Sequence, residues 1–260
     1  MKKTILILLL AILATSISTA QEKESHTLFT EILKDYIKNG LVDYAAMKGD
    51  TRLDEYIEQI TVVDPYSLER NEQLAFWMNA YNAFTLQVIL LEYPVESIND
   101  LHTGGLIIGQ VLGKTIWHDE RFEINGKKYS LNNIEHDIIR VDFADEPRIH
   151  FTLVCAAMSC PPLRYEAYEA HKLEEQFQDQ SIKFFNNPNL NEFDAENRVA
   201  KLSKLLDWYY DDFADNDKDI ILYVAQFVEG EAGKSMKANP EEWDIEHLHY
   251  DWLLNEIKSE

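Results

Sequence analysis

The pattern of apolar and polar positions is most informative between Glu72 and Leu91, where most positions are apolar. Apolar residues recur there at the spacing of one helix face and continue onto the flanking positions, which predicts a helix buried on most of its surface. Asn79 and Asn82 lie three residues apart within this stretch, on adjacent turns of one face. Because a buried amide without a partner is costly, we expect both either to hydrogen-bond neighbouring loops or to line a polar pocket.

The rest of the pattern predicts a helix-rich α+β fold. Further helices are predicted at about residues 26–39, 52–59, 132–141, 202–213 and 219–228, with another from near Pro161 or Arg164 to Phe185. Asn125-Gly126 predicts a tight hairpin, residues 148–155 have the composition of a buried strand, and residues 190–200 fit a polar hairpin or loop. With no internal repeat or linker, residues 21–260 are expected to form a single domain around a small, mainly antiparallel sheet.

Local signals set the expected helix ends. Gly40 fits the C-terminal stop of the first helix, and Gly230 closes the helix that precedes it. Asn132 is a plausible N-cap, with Glu135 three residues on as its capping-box partner. The glycines between residues 104 and 113 mark a loop, and the absence of a P-loop Lys-Ser/Thr pair excludes nucleotide binding of that kind.

Residues 1–20 have the pattern of a secretory signal peptide. Lys2 and Lys3 precede an apolar run that ends in small residues before Gln21. We therefore expect cleavage before Gln21 and export to the periplasm or the cell exterior. The run is too short for a comfortable membrane span, and no later segment is expected to cross a membrane.

The charge of the chain is strongly negative. The formal net charge is −22, and it becomes −24 when Lys2 and Lys3 are removed with the leader. Nucleic acid is excluded as a partner because its phosphates would be repelled. Such a surface favours solubility or a cationic ligand or basic partner. We expect a monomer that needs no cofactor.

The sequence contains two cysteines, Cys155 and Cys160, and their pattern leaves two interpretations open. In an exported chain such a pair can be a disulfide. Alternatively, Cys160 precedes Pro161 at a predicted helix start, where exposed N–H groups would stabilise a thiolate. His136 or His150 could then act as general base.

A metal site is the weaker chemical interpretation. His247 and His249, or His118 with Asp119 and Glu120, offer ligands. Neither set has the two-histidine helical spacing of a zinc site, and scattered acids are expected in so acidic a chain. We therefore expect no metal ligands.

Several motifs, in the same order, resemble the bacterial family called domain of unknown function 547. They are AFWMNAYNAFTL (75–86), EYPVESI (92–98), YSLNNIEHDIIR (129–140), EPRIHFTLVCAAMSCPPLR (146–164), LSKLLDWYYDDF (202–213) and YDWLLN (250–255). The resemblance covers residues 28–255 and departs from the family pattern at Glu146, where the family has aspartate. The family's activity is not established in any general way.

The resemblance implies a helical domain around a small sheet, similar to papain-like or transglutaminase-like cysteine hydrolases. Because His136 precedes both cysteines, that likeness requires a permuted arrangement. It would make Cys155 or Cys160 the nucleophile, His136 the base and Glu135 an orienting acid. The candidate substrate-binding residues are Asn79, Asn82, Trp77 and His150, and either asparagine could polarise an acyl oxygen.

The sequence leaves two main interpretations of the function. One is an exported cysteine-dependent acyl hydrolase or peptidase-like enzyme. The other is a non-catalytic envelope binding domain for an unknown small-molecule or peptide ligand, in which Cys155 and Cys160 form a disulfide.

Overall fold

The structure, a computed structural model, describes residues 26–101 and 115–258. The predicted signal peptide and the glycine-containing loop at residues 104–113 lie outside these ranges. The helices are α1 Thr27–Tyr36, α2 Tyr44–Met47, α3 Arg52–Thr61, α4 Arg70–Glu92, α5 Arg140–Asp142, α6 Leu173–Phe185, α7 Leu205–Trp208, α8 Tyr210–Phe213, α9 Asp217–Val224 and α10 Gly230–Ala238. The strands are β1 Ile37–Lys38, β2 Leu41–Val42, β3 Phe122–Ile124, β4 Lys127–Tyr129, β5 Glu192–Asp194, β6 Val199–Leu202 and β7 Asp244–His247.

Helix α4 is the centre of the fold, as its apolar pattern predicts. A capping box between Glu69 and Glu72 starts it, and most residues from Leu74 to Ile89 are buried. The helix is long and apolar enough to cross a membrane, but 83% of its most apolar window is buried inside the protein. It packs against α3 and against a π-helix at Asn133–Ile139 that runs directly into α5.

The α+β class is confirmed, and the strands of the described ranges form three small sheets. Strands β1–β2 and β3–β4 are antiparallel hairpins, and the second turns at Asn125-Gly126 as predicted. Strand β6 lies between β5, to which it is antiparallel, and β7, to which it is parallel. The sheets lie at the edges of a helical core.

Gly40 does not end a helix, which corrects the first sequence expectation. Helix α1 stops at Tyr36, and Asn39 (φ 53°) and Gly40 (φ 81°) form the two-residue turn of the β1–β2 hairpin. A Cβ atom at Gly40 would lie 2.3 Å from Cβ of Pro162, so the turn also needs glycine for its close approach to the segment after Cys160.

The predicted capping box at Asn132 is also wrong. The side chain of Asn132 makes no capping bond. Instead, the backbone N–H of Ser130 donates to Oδ1 of Asn133 (3.1 Å), and the N–H of Asn133 donates to Oγ of Ser130 (3.0 Å). This reciprocal pair caps the helical segment at Ser130, before the helical residues Leu131 and Asn132, and leaves Glu135 free for other partners.

The segment at residues 148–155 is buried but is not a strand. A 3₁₀ helix spans Pro147–Phe151, with proline in its first turn and the Glu146 side chain as its cap. Beyond it, the side chain of Asn82 accepts from the Val154 N–H (3.0 Å) and donates to the Thr152 carbonyl (2.9 Å). The side chain satisfies the groups that a neighbouring strand would otherwise pair.

The buried apolar residues form two clusters. The larger surrounds α4 and includes Cys160, and the smaller lies among α6, α9, α10 and the β5–β6–β7 sheet. Phe151 belongs to the smaller cluster, whereas Ile149 and Leu153 on either side of it belong to the larger. The chain around Phe151 therefore passes between the two clusters, and it carries His150 and leads to Cys155.

Candidate functional site

Cys155 and Cys160 are joined in a disulfide, with their Cα atoms 6.2 Å apart. The hydroxyl of Tyr250 lies 3.2 Å from each sulphur, and the Cys155 N–H points at Sγ of Cys160 at 3.0 Å. A disulfide sulphur is not a thiolate, and only the thiolate is a nucleophile. In this state neither cysteine can fill the predicted catalytic role, which remains a prediction for a reduced protein.

Cys160 also lies far from any helix start. Residues 161–169 are irregular, and α6 begins only at Leu173. The amide of Gln180 donates to the Pro162 carbonyl (2.6 Å), and the Asn79 side chain is bonded to Tyr168 at both its oxygen and its nitrogen (2.8 Å each). Side chains from other helices therefore supply hydrogen bonds to residues 161–169, which stay irregular. The predicted stabilisation of a Cys160 thiolate by a helix terminus is therefore wrong.

The disulfide loop is fixed by the end of the chain, residues 250–257, which we call the C-terminal strap. The N–H of Met158 donates to the Leu253 carbonyl (2.8 Å), and the N–H of Asn255 donates to the Ala156 carbonyl (2.9 Å). The other edge of the strap bonds to Val42. Backbone bonds on both edges hold the disulfide, Tyr250 and Trp252 in fixed relative positions.

Glu135 is a buried carboxylate whose charge acts on Tyr250. Its Oε2 accepts from the hydroxyl of Tyr81 (2.9 Å), and its Oε1 accepts from the hydroxyl of Tyr209 (2.6 Å). Burial, followed by the charge of Glu135, raises the pKa of both tyrosines, so both remain donors at neutral pH. Burial and the charge of Glu135 also raise the pKa of Tyr250. The carboxylate therefore acts electrostatically on the residue that touches both sulphurs.

Glu135 does not orient His136 by a hydrogen bond. The Nε2 atom of His136 lies 3.9 Å from Oε1 of Glu135, which is too long for one. Its Nδ1 lies 3.1 Å from Nη1 of Arg140. Because a guanidinium only donates, Nδ1 is the acceptor and the proton of the imidazole is on Nε2. His136 is partly exposed beside the carboxylate, whereas the predicted base–acid pairing is absent.

His150, predicted as a base or a substrate contact, is buried and braces Tyr209. Its Nε2 lies 2.7 Å from Oδ2 of Asp212, and its ring stacks on Tyr209 with centroids 4.0 Å apart. Burial lowers the pKa of His150, and the Asp212 hydrogen bond opposes this only in part. Arg140 donates to both oxygens of Asp212 (2.7 and 2.9 Å), and its guanidinium lies over the Tyr209 ring, 4.9 Å from the centroid.

The charge of Asp212 is held by this arrangement. Burial alone would raise the pKa of its carboxyl, but the hydrogen bonds from Arg140 and His150 lower it overall. The hydrogen bond to Asp212 likewise raises the pKa of Arg140 despite its partial burial. An ionised pair therefore supports Tyr209, and through Tyr209 it supports Glu135.

The other predicted substrate contacts lie in the core. Asn79 is 0% exposed and Asn82 is 2% exposed, and the side-chain oxygen and nitrogen of each are bonded to loop backbone. Trp77 is 0% exposed and packs edge-on against Phe76 and Tyr129. In this structure the asparagines clamp loops, as the first of the two sequence interpretations expected, and Trp77 fills the core.

The structure brings forward an aromatic surface that the sequence prediction did not include. The rings of Trp208, Tyr250 and Trp252 contact one another, with centroids 4.4 to 5.7 Å apart. Trp208 is 47% exposed and Trp252 is 37% exposed, whereas Tyr250 is buried. We call these residues the aromatic trio. Their clustering in two short segments, DWYY and YDW, was the available signal.

The C-terminal strap also lines a surface groove. This open groove of about 600 Å³ lies between residues 94–96 and the end of the strap and has a mixed lining: Pro94, Val95, Glu96, Leu253, Leu254, Glu256 and Lys258. Within residues 26–101 and 115–258, no group of three or more histidine, cysteine or acidic side chains is arranged to hold a metal ion.

Comparison with known protein families found a match. The model of the family described as "Protein of unknown function, DUF547" matches residues 65–185. Over these residues the chain is similar to this family. The matched DUF547 segment contains α4, the π-helix with Glu135 and His136, and the disulfide loop. It ends before Tyr209 and the aromatic trio. No curated protein matches the chain, and no solved structure does.

Proposed function

We propose that this protein is an exported, non-catalytic binding domain of the cell envelope that takes a small-molecule or peptide ligand. The observation that carries the proposal is the Cys155–Cys160 disulfide. It occupies both sulphurs that a cysteine hydrolase would need. The same bond supports export, because disulfides persist in oxidising compartments outside the cytosol.

The proposed binding surface is the aromatic trio together with Glu135 and His136. Trp208 and Trp252 present open ring area, and the side chain of His136 is 34% exposed. Tyr209, next to Trp208 in the chain, links this surface to Glu135 by its hydroxyl. The backbone hydrogen bonds of the C-terminal strap fix the segment that carries Tyr250 and Trp252. The Arg140–Asp212 pair fixes Tyr209. Such preorganisation lowers the entropic cost of binding.

The first experiment is a thiol count on native protein beginning at Gln21, with and without reductant, followed by mass spectrometry of the labelled peptides. The expected result is no labelling before reduction and labelling of both Cys155 and Cys160 after it. Rapid labelling of one cysteine in the untreated protein at neutral pH would contradict the proposal and would identify a nucleophile.

A second experiment tests binding. A thermal-shift screen of small molecules and short peptides should find ligands that raise the Tm, and Trp208→Ala should remove that shift. The matched control is Tyr165→Ala, which removes a 51% exposed aromatic ring outside the trio. A shift that survives Trp208→Ala would place the ligand elsewhere on the protein.

A cysteine hydrolase in the reduced state is the second candidate. The favouring observation is that the Cys155 N–H and the Tyr250 hydroxyl both point at Sγ of Cys160, where they would stabilise a thiolate once a dithiol had reduced the bond. Reduced protein should then hydrolyse amide or thioester substrates, and iodoacetamide or Cys160→Ser should abolish the activity. Activity that survives both changes would remove this candidate.

A further inference from the structure

We propose that the aromatic trio binds a small organic cation, of the class in which an alkylated ammonium group is the recognised part. The inference rests on the proposed binding function and names its ligand class. It is carried by the exposed ring faces, by the acidic residues that adjoin them in the chain, and by the charge of the whole chain.

The ring geometry suits a cation that lies over the surface. Centroid distances of 4.4 Å between Tyr250 and Trp252 and 4.7 Å between Trp208 and Tyr250 leave no room for a ligand between the rings. Trp208 and Trp252 are nearly parallel, with an interplanar angle of 26°, and both are substantially exposed. A cation would therefore contact the outer, exposed part of this ring cluster, which we call the platform. Tryptophan gives the strongest attraction of the aromatic side chains for a cation within about 6 Å of its ring centroid.

Acidic residues adjoin the trio in the chain. Asp207 precedes Trp208, and Asp251 lies between Tyr250 and Trp252 in the strap. Glu135 lies close enough for its charge to act on Tyr250. Asp207 is paired with Lys204 at 2.9 Å, so these two charges offset each other and the negative charge beside the trio comes from Asp251 and Glu135. The local charge therefore matches a cation.

The electrostatic field of the whole chain also favours a cationic ligand. A formal net charge of −22 raises the local concentration of cations at the surface and lowers that of anions. An anionic ligand would meet repulsion on approach as well as at the site. An uncharged ligand would gain nothing from these acidic residues, which distinguishes it experimentally from a cation.

The platform is also rigid before any ligand arrives. The Trp252 carbonyl accepts from the Ser97 hydroxyl (2.7 Å) and from the Ile98 N–H (3.3 Å). The Asp251 carbonyl accepts from the Ser159 N–H (3.2 Å), within the loop closed by the disulfide. The disulfide loop thereby positions the ligand surface, which gives that loop a role without catalysis.

The test is calorimetric titration of disulfide-intact protein with choline and with its uncharged isostere, in which a tert-butyl group replaces the trimethylammonium. Choline should give saturable binding and the isostere should bind at least about tenfold more weakly. Trp208→Ala and Trp252→Ala should each weaken choline binding about three- to thirtyfold, whereas Trp208→Phe should retain part of it. The control variant Tyr165→Ala should have no effect, and thermal unfolding of each variant checks that it is folded.

The contribution of charge has its own variant. Asp251→Asn keeps an acceptor for the Leu253 N–H (3.0 Å to Oδ1) but removes the carboxylate charge. It should weaken choline binding about two- to fivefold and reduce its salt dependence. Asp244→Asn, at an exposed position on β7, is the matched control and should leave the affinity unchanged.

The outcomes separate this inference from the proposed function. Equal binding of choline and its isostere, or tighter binding of a neutral disaccharide, would overturn the cation inference while supporting a binding domain. No heat from choline with an intact disulfide would also overturn it and leave the thiol count as the test of the proposed function. A free reactive thiol would contradict the proposed function whatever choline does.

Discussion

Tyr209 shows how one side chain can join the parts of the candidate site. It lies at the break between α7 and α8, where its backbone (φ −114°, ψ 26°) is no longer helical. At this break the Tyr209 ring contacts both Arg140 and His150, and its hydroxyl donates to Glu135. The apolar spacing of residues 202–213 predicted one continuous helix, and such spacing does not reveal a break stabilised by residues 59 to 74 positions away.

Removing the Tyr209 hydroxyl is the first prediction. Tyr209→Phe should lower the free energy of unfolding by about 1.5–3 kcal/mol, because a buried carboxylate loses a donor at 2.6 Å. Urea unfolding measures the change. In the matched control, Tyr210→Phe, the lost partner is the surface residue Asp217, and the change should stay within about 0.5 kcal/mol. Equal effects of the two variants would show that Glu135 does not depend on Tyr209.

The second prediction concerns His26, whose Nδ1 lies 2.8 Å from the hydroxyl of Tyr56 in the core. Burial lowers the pKa of His26 from 6.5 to about 4, with the charge of Glu169 opposing. The unfolded chain binds this proton below about pH 6.5 and the folded protein only near pH 4, so stability falls as the pH drops between these values. The free energy of unfolding should be about 2 kcal/mol lower at pH 4.5 than at pH 7 from this residue alone.

The pH test compares two histidine variants by urea unfolding at several pH values. His26→Asn should flatten the dependence between pH 6.5 and pH 4.5, since asparagine keeps a hydrogen-bonding side chain without titrating there. His171→Asn should not, because the His171 side chain is 67% exposed. His150, also with a lowered pKa, will leave a residual slope in the same direction. An unchanged slope in His26→Asn would assign the acid sensitivity to other groups.

At the scale of elements, the spacing of apolar residues predicted the buried faces of helices. It failed for segments whose backbone N–H and C=O groups are hydrogen-bonded by side chains that are distant in the chain. α1, α3, α4 and the β3–β4 hairpin follow from local pattern. The segments at residues 148–155 and 161–169 do not, because Asn79, Asn82 and Gln180 supply their hydrogen bonds from α4 and α6. The buried asparagines left loop hydrogen bonds as one of two interpretations, and no local rule identified which loops they would hold.

The π-helix start provides the third prediction, in which two adjacent asparagines act as each other's control. Asn133→Ala should lower the free energy of unfolding by about 1 kcal/mol, because Asn133 exchanges two bonds with Ser130. Asn132→Ala should change it by less than about 0.5 kcal/mol, because its side chain caps nothing. Chemical denaturation measures both. The opposite order would restore the capping box that the sequence predicted.

At the scale of the whole molecule, the candidate site is assembled from segments that are far apart in the chain. Glu135 meets Tyr209 by a hydrogen bond, and the disulfide loop meets the strap at Tyr250. The sequence singled out Glu135, His136 and both cysteines because their chemistry is visible locally. It did not reveal Trp208 or Trp252, because an aromatic residue in an amphipathic or terminal segment has the same local pattern whether it fills a core or faces solvent.

The last prediction follows from the position of the disulfide under the strap. The bond closes a short loop with a sequence separation of 5, so the chain-entropy model gives about 2 kcal/mol of stabilisation. Reductant should therefore lower the Tm by about 4–8 °C for a domain of this size. The protein should still unfold from a native-like state, because the strap holds the loop by backbone bonds at Ala156, Met158 and Ser159.

The double variant Cys155→Ser/Cys160→Ser is the control for that measurement. Its Tm should match that of the reduced protein and should not respond to reductant. It should also keep most of the affinity for any ligand of the aromatic trio, because the strap remains bonded to Val42, Ser97 and Ile98 on its other edge. Complete loss of binding in a folded double variant would instead mean that the disulfide itself positions Tyr250, and hence that the redox state of the loop controls the ligand surface.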